Sequence, residues 1–161
     1  MLFGRRRFDP QPTSPAAVLL ASSGEPFSRA AVKRAHELAA GQPVAVLSIL
    51  KVYGSTFGLP NPGLLPTRRE REEQFTVVNR AINELERRGC TVDGQIPATR
   101  SAGRTIAKVA QRRRVRYVVM DDSAPSGMRR VTEGSITAIV RRRLGSDAEL
   151  ELVTAAPARN S

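Results

Sequence analysis

Residues 120–140, MDDSAPSGMRRVTEGSITAIV, gather the chemistry-bearing groups of this chain. Asp121 and Asp122 end an apolar run, a Ser/Pro/Gly loop follows, and Arg129, Arg130, Gly134 and Ser135 lead into a helical pattern. A strand, a loop and a helix start are the usual apparatus for holding phosphate, through free backbone N–H groups and the positive end of the helix dipole. Two carboxylates at its mouth work against that. Two like charges ~4 Å apart repel by about 4 kcal/mol at an effective dielectric of 20, which is on the order of a thousandfold in affinity. Arg129 and Arg130 offset part of it. Asp121 and Asp122 are also weak candidates for a divalent cation bridging to phosphate.

Elsewhere the chain offers little for catalysis. His36 is the one histidine and Cys90 the one cysteine, too few for a zinc site of the usual kind. His36 stands in a helical pattern with no hydrolase motif around it, so no catalytic residue is assigned and enzymatic activity is not expected. The lone cysteine excludes an internal disulfide and fits a reducing, cytoplasmic location.

The elements that position these residues read clearly from the pattern. Ala16–Ser22 and Val44–Leu50 are short apolar runs suited to strands buried on both faces, and Tyr117–Met120 is a third. Ser28 starts a helix carrying Ala31, Val32, Ala35 and Leu38 on one face, closed by Gly41. Thr67–Arg88 is helical, with Phe75, Val78, Ile82 and Leu85 at 3.6-residue spacing and Gly89 as its stop. Thr91–Ala98 is a weaker strand near an edge, given Gly94 and Pro97. Helices follow at Gly103–Arg113 and Ile136–Leu144. In the last strand, Ala148–Val153, Leu150 and Leu152 alternate with Glu149 and Glu151, the mark of a half-exposed strand.

Alternating strands and helices imply an α/β fold: a doubly wound, five-stranded parallel sheet of Rossmann-like type, strand order 3-2-1-4-5, with helices on both faces. Ligands of such sheets gather at the carboxyl ends of the strands. A chain of 161 residues suits one such domain, here residues 15–156. Residues 1–14 read as a disordered basic tail and 157–161 as a second tail.

The net charge is +11, almost all from arginine, in runs at Arg5–Arg7, Arg68-Arg69, Arg112–Arg114 and Arg141–Arg143. An arginine-rich binder of nucleic acid or acidic lipid is one reading. The scatter of the runs along several helices favours solvated helix faces instead, so nucleic acid is not an expected partner. Scarce aromatics supply few stacking platforms. No stretch reaches the roughly 20 apolar residues of a membrane span.

With these elements in place, the sequence resembles the universal stress protein family over residues 16–156. The match is carried by VLLASSGEPFSRAAVKRAHELA, by the Gly/Pro-rich excursion after the second strand, by SAGRTIAKVAQRRRVRYVVM, and by MDDSAPSGMRRVTEGSI. ATP-binding members of the family carry a Gly, two residues, a second Gly, nine residues, then Gly-Ser or Gly-Thr. Here the first two glycines fall on Asp121 and Ala124, and Gly134-Ser135 keeps the third. The resemblance places the family's loop aspartate at Ser23, beside a retained Gly24. It adds Ile49, Met120 beneath a base, Gly127, Arg129, Arg130 and Ile136 to a candidate nucleotide site.

Glycines allow close approach of backbone to phosphate, so their loss implies weakened or lost ATP binding. The resemblance therefore implies a non-enzymatic regulatory, stress-response module acting through a protein partner. The alternative is an ATP- or Mg-nucleotide-binding protein or slow ATPase, in which magnesium enters only with ATP. Family members commonly dimerise through the last strand, and Glu149 and Glu151 discourage such edge pairing here.

Overall fold

The computed structural model describes residues 13–52, 65–122 and 129–154, of which 129–135 are described by backbone alone. Residues 1–12 of the expected basic tail, the whole of the second tail, Ala124, Gly127 and most of the Gly/Pro-rich excursion lie outside the described residues, whereas Thr13 and Ser14 lie within them.

Two fully buried strands form the middle of the main sheet: β1 (Val18–Ser22) and β2 (Val44–Ser48). They pair in parallel with Val18 opposite Val44 and Ser22 opposite Ser48. On the other side of β1 lies β6 (Tyr117–Asp121), Val18 opposite Tyr117. The edges are β4 (Val92–Gln95) beside β2 and β7 (Glu149–Val153) beside β6. The order β4-β2-β1-β6-β7 is 3-2-1-4-5 when these five strands alone are numbered, as expected. Two short strands were not foreseen. The expected run to Leu50 stops at Ser48, and β3 (Leu50–Lys51) pairs in parallel with β5 (Ala98–Thr99) in a separate two-stranded sheet at the carboxyl end.

Period-two alternation divides the core into two layers. Val18 and Leu20 of β1 face α1 (Arg29–Ala39) and α2 (Arg68–Arg87), against Val32, Ala35, Val78, Ile82 and Leu85. Leu19 and Ala21 face α3 (Ala102–Arg112) and α4 (Arg129–Leu144), against Ile106, Val109, Val140 and Leu144. The caps have clear causes. Ser28 Oγ accepts from Ala31 N–H at 3.0 Å to start α1. Thr67 and Glu70 form a reciprocal capping box on α2, at 2.8 and 3.1 Å, each side satisfying an orphan donor. Gly103 lets α3 and α4 meet, since a Cβ there would lie 3.0 Å from Ile139 Cβ and 3.1 Å from Ile136 O.

Phe75, expected on the apolar stripe of α2, is instead 48% exposed, since the buried face of that helix begins at Val78. Two further expectations need correction. Arg113 is not on a solvated helix face: it is 1% exposed. Its guanidinium donates to both oxygens of Asp93 at 2.7 Å and, through Nε, to Ser14 O. Following α3 directly, it ties that helix to β4 and to the lead-in of β1. Second, α4 begins at Arg129 rather than near Gly134-Ser135. The apolar pattern that marks a buried helix face starts only at Ile136, so periodicity missed the earlier turns.

Candidate functional site

The carboxyl end of the sheet gathers the β1–α1 loop, the end of β2 and the start of α2. After Ser22 the chain turns sharply: Gly24 N–H donates to Ser22 Oγ at 3.1 Å, and Ser22 Oγ donates to Glu25 O at 2.5 Å. Gly24 adopts φ +116°, and a Cβ there would lie 3.2 Å from Ile49 O. Glycine is required on both counts.

Gln74 of α2 reaches into this turn. Its Nε2 donates to Gly24 O at 2.7 Å and its Oε1 accepts from Ser48 Oγ at 2.5 Å. One amide therefore bridges the first loop and the end of β2. Ser48 is fully buried, so the bridge also satisfies a hydroxyl that would be costly to leave unpaired. Around it lies an open cavity of about 220 Å³, lined by Ser23, Gly24, Ile49 and Lys51 on one side and Glu70, Glu73 and Gln74 on the other. That volume falls below the roughly 300–1,000 Å³ of ordinary small-molecule sites. Three carboxylates, counting Glu25, rim it against one lysine.

Asp121 is engaged with the start of α1. Ser28 N–H donates to Asp121 Oδ2 at 2.9 Å, and Ser28 Oγ donates to Oδ1. The half-buried carboxylate thus seats the residue that caps α1, joining positions 93 apart in sequence. Both oxygens are engaged. Asp122 is exposed and its N–H continues the ladder to Val153 O at 2.8 Å. Among the described residues, no group of three or more His, Cys, Asp or Glu is arranged to hold a metal ion.

The other candidates separate. Met120 and Ile49 are buried with Ile136 against the α3–α4 side of the core, though Ile49 also borders the cavity. Gly134 and Ser135 lie inside α4. There, the fifth residue onward of a helix spends its N–H on the carbonyl four positions back. Only the first turn, from Arg129, has free N–H groups. The donors that sequence reasoning assigned to phosphate at Gly134-Ser135 are therefore committed within the helix.

Sequence reasoning missed Gln74 and the second role of Ser28. A signal for Gln74 existed: it stands four residues before Val78 on the inward stripe of α2, a polar residue where an apolar one belongs. Nothing local marks the pairing of Ser28 with Asp121.

Away from this site, His36 Nδ1 lies 3.2 Å from Cys90 Sγ. Burial pushes the Cys90 thiol above its ordinary range, and the Arg88 charge pulls weakly the other way. The Arg34 guanidinium is held further into its charged form by the hydrogen bond to Glu151 of β7, at 2.9 Å.

A five-stranded parallel sheet between two helical layers, with its loops gathered at the carboxyl ends, defines a Rossmann-like α/β protein. Among solved structures its likeness is to universal stress proteins. A universal stress family protein from Burkholderia pseudomallei superposes with TM-score 0.60 at 17% identity, covering 86% of this chain and 96% of that one. A universal stress protein in complex with cAMP gives 0.62 at 14%, covering 89% and 99%. The universal stress protein from Archaeoglobus fulgidus in complex with dAMP gives 0.57 at 15%, covering 84% and 95%. No family model matches the sequence, and no curated protein matches it. The chain thus has the universal stress protein fold.

Proposed function

We propose that this chain is a non-enzymatic, universal-stress-protein-like regulatory module whose ATP binding is weakened or lost and which acts through protein partners. One observation carries the reading: Asp121, standing where the family's loop has its first glycine, is locked by two hydrogen bonds to Ser28. An anchored carboxylate cannot swing away from an incoming phosphate, and it holds the β1–α1 loop closed against β6. Asp121 is spent on Ser28 and Asp122 is exposed, and among the described residues neither is set against a nucleophile. The free thiol of Cys90 supports a reducing, cytoplasmic setting. No helix among the described residues is long and apolar enough to cross a membrane.

A second reading has its own support. The neighbours carrying cAMP and dAMP bind adenine mononucleotides, which bring less charge than ATP. In this reading such a ligand would enter the cavity beside Ser23, Gly24 and Ile49.

Calorimetric titration with ATP, with and without magnesium, and then with AMP, tests both. No heat with ATP in either condition is the expected result. Micromolar ATP binding that vanishes with chelator would overturn the proposal and make the aspartates metal ligands. Binding of AMP without ATP would favour the second reading.

A further inference from the structure

The arginine runs that look scattered along the chain converge in the fold. In a parallel α/β sheet every helix returns to the amino end of the strands, so α3 and α4 finish side by side. Gln111 near the end of α3 donates to Arg143 O near the end of α4 at 3.0 Å. From Ala102 to Arg116 there is no acidic residue, and none from Ile136 to Gly145. Arg104, Lys108 and Arg112 recur every fourth residue and are all exposed, forming a stripe with steps of about 6 Å along α3. Arg141, Arg142 and Arg143 end α4, also exposed.

Beyond the helix ends, Arg114, Arg116 and Arg141 line two adjoining grooves of about 270 and 550 Å³ that share Asp147 and Ala148. Asp147 and Glu149 are the acidic side chains there. Among the described residues none of these cations has an ion-pair partner. The described salt bridges of Arg68, Arg69 and Arg88 are all within α2 or at its end, to Glu72, Glu73 and Glu84.

Charge is therefore segregated by layer. The α2 helix is nearly balanced and internally paired, whereas the described side chains of the α3–α4 layer are cationic and have no ion-pair partner among the described residues. Arginines at helix C-termini complement the macrodipole, which accounts for Arg112 and Arg141–Arg143. It does not account for Arg104 and Lys108, or for Arg114 and Arg116 past the helix end. The exposed large apolar side chains among the described residues are Leu65 and Phe75, before and on α2. Among the described residues the cationic layer thus has no apolar anchor for a membrane. Tyr117, half-buried, is the aromatic at its grooves, so base stacking is not its mode.

We infer that the α3–α4 layer is a binding surface for the phosphodiester backbone of double-stranded nucleic acid, contacted through arginine without reading bases. Arginine suits this because its planar fork donates two parallel hydrogen bonds to phosphate.

The test is fluorescence anisotropy of the full chain with a labelled duplex of about 20 base pairs at 50 to 200 mM salt. Four to five phosphate contacts predict a loss of roughly 150- to 500-fold over that range. The triple variant Arg104→Gln, Lys108→Gln, Arg112→Gln should bind at least ~10-fold more weakly with a shallower salt slope. The charge-matched control Arg71→Gln, Arg80→Gln, Arg87→Gln on α2 should stay within about twofold, since it touches no contact.

Equal losses in the two triples would overturn the inference and leave only net charge. So would undetectable duplex binding at 50 mM salt, or tighter binding to vesicles containing phosphatidylserine than to duplex. If circular dichroism shows the α3 triple unfolded, the single variants Arg104→Gln and Arg112→Gln decide. Each should lower the slope by about one, and unchanged slopes would refute the surface.

Discussion

Replacing Asp121 by alanine removes the acceptor of both Ser28 hydrogen bonds, at 2.9 Å from the backbone N–H and closer from the hydroxyl. Hydrogen bonds to a charged group contribute about 1.5–3 kcal/mol each when well made. Asp121 is only half-buried, so water replaces part of what is lost. A total of about 2 kcal/mol follows for the pair, below the ~3–6 kcal/mol of two fully made bonds because of that exposure. In a domain of this size each kcal/mol shifts Tm by roughly 2–4 °C, giving a fall of about 4–8 °C.

Ser28→Ala should cost about 1 kcal/mol as a lost helix cap, plus its share of the Asp121 contact. The two effects overlap. A double-mutant cycle should therefore show a coupling of at least ~1 kcal/mol, measured by urea denaturation with unchanged m-values. The Asp121→Asn variant keeps an acceptor oxygen for one of the two donors and should fall between wild type and alanine. Additive effects within ~0.3–0.5 kcal/mol would refute the clamp. The carboxylate would then be solvated, and the case that it blocks the phosphate loop would fail with it.

Two further outcomes follow from the packing. Arg113→Met removes the bidentate partner of Asp93 and leaves that carboxylate uncompensated. Asp93 retains 23% side-chain exposure, so the cost should sit near the lower end of the ~3–5 kcal/mol seen when a buried pair is broken, read from the shift in urea midpoint. The Asp93→Asn, Arg113→Met double variant should recover part of that loss. For Cys90 the folded thiol titrates above its unfolded value because burial disfavours the thiolate. Its contribution is full below the unfolded pKa of about 8.5 and is lost as pH rises through the folded pKa. Stability between pH 7.5 and 10 should therefore fall more steeply for wild type than for Cys90→Ala. Parallel profiles would mean that the thiol is solvated in the folded protein.

The division between what was legible and what was not follows the range of the interactions. Apolar runs at Val18–Ser22 and Val44–Ser48, helix stripes through Val78, Ile82 and Leu85, and stops at Gly41 and Gly89 are local signals. Backbone period and residue type act over a few positions, so the α/β class, the order of the five main strands and the edge positions of β4 and β7 could be read directly. The β1–α1 loop and Gly24 were legible for the same reason, since one glycine at φ +116° answers a local steric demand.

What tertiary structure alone decided lies in contacts between distant segments. Asp121 looked like a charge facing phosphate, and it became an anchor for Ser28 because β6 and α1 are brought together across the sheet. Arg113 looked solvated, and it is buried because α3 ends against Asp93 and the lead-in to β1. Gln74 acquired its role only when α2 closed over Gly24 and Ser48. The arginines of α3 and α4 form one surface because right-handed crossovers return both helices to the same end of the sheet. Sequence determines which groups are present and which local shapes they prefer. Long-range packing decides whether a charge meets a partner, and therefore whether it anchors the fold or stays free for another molecule.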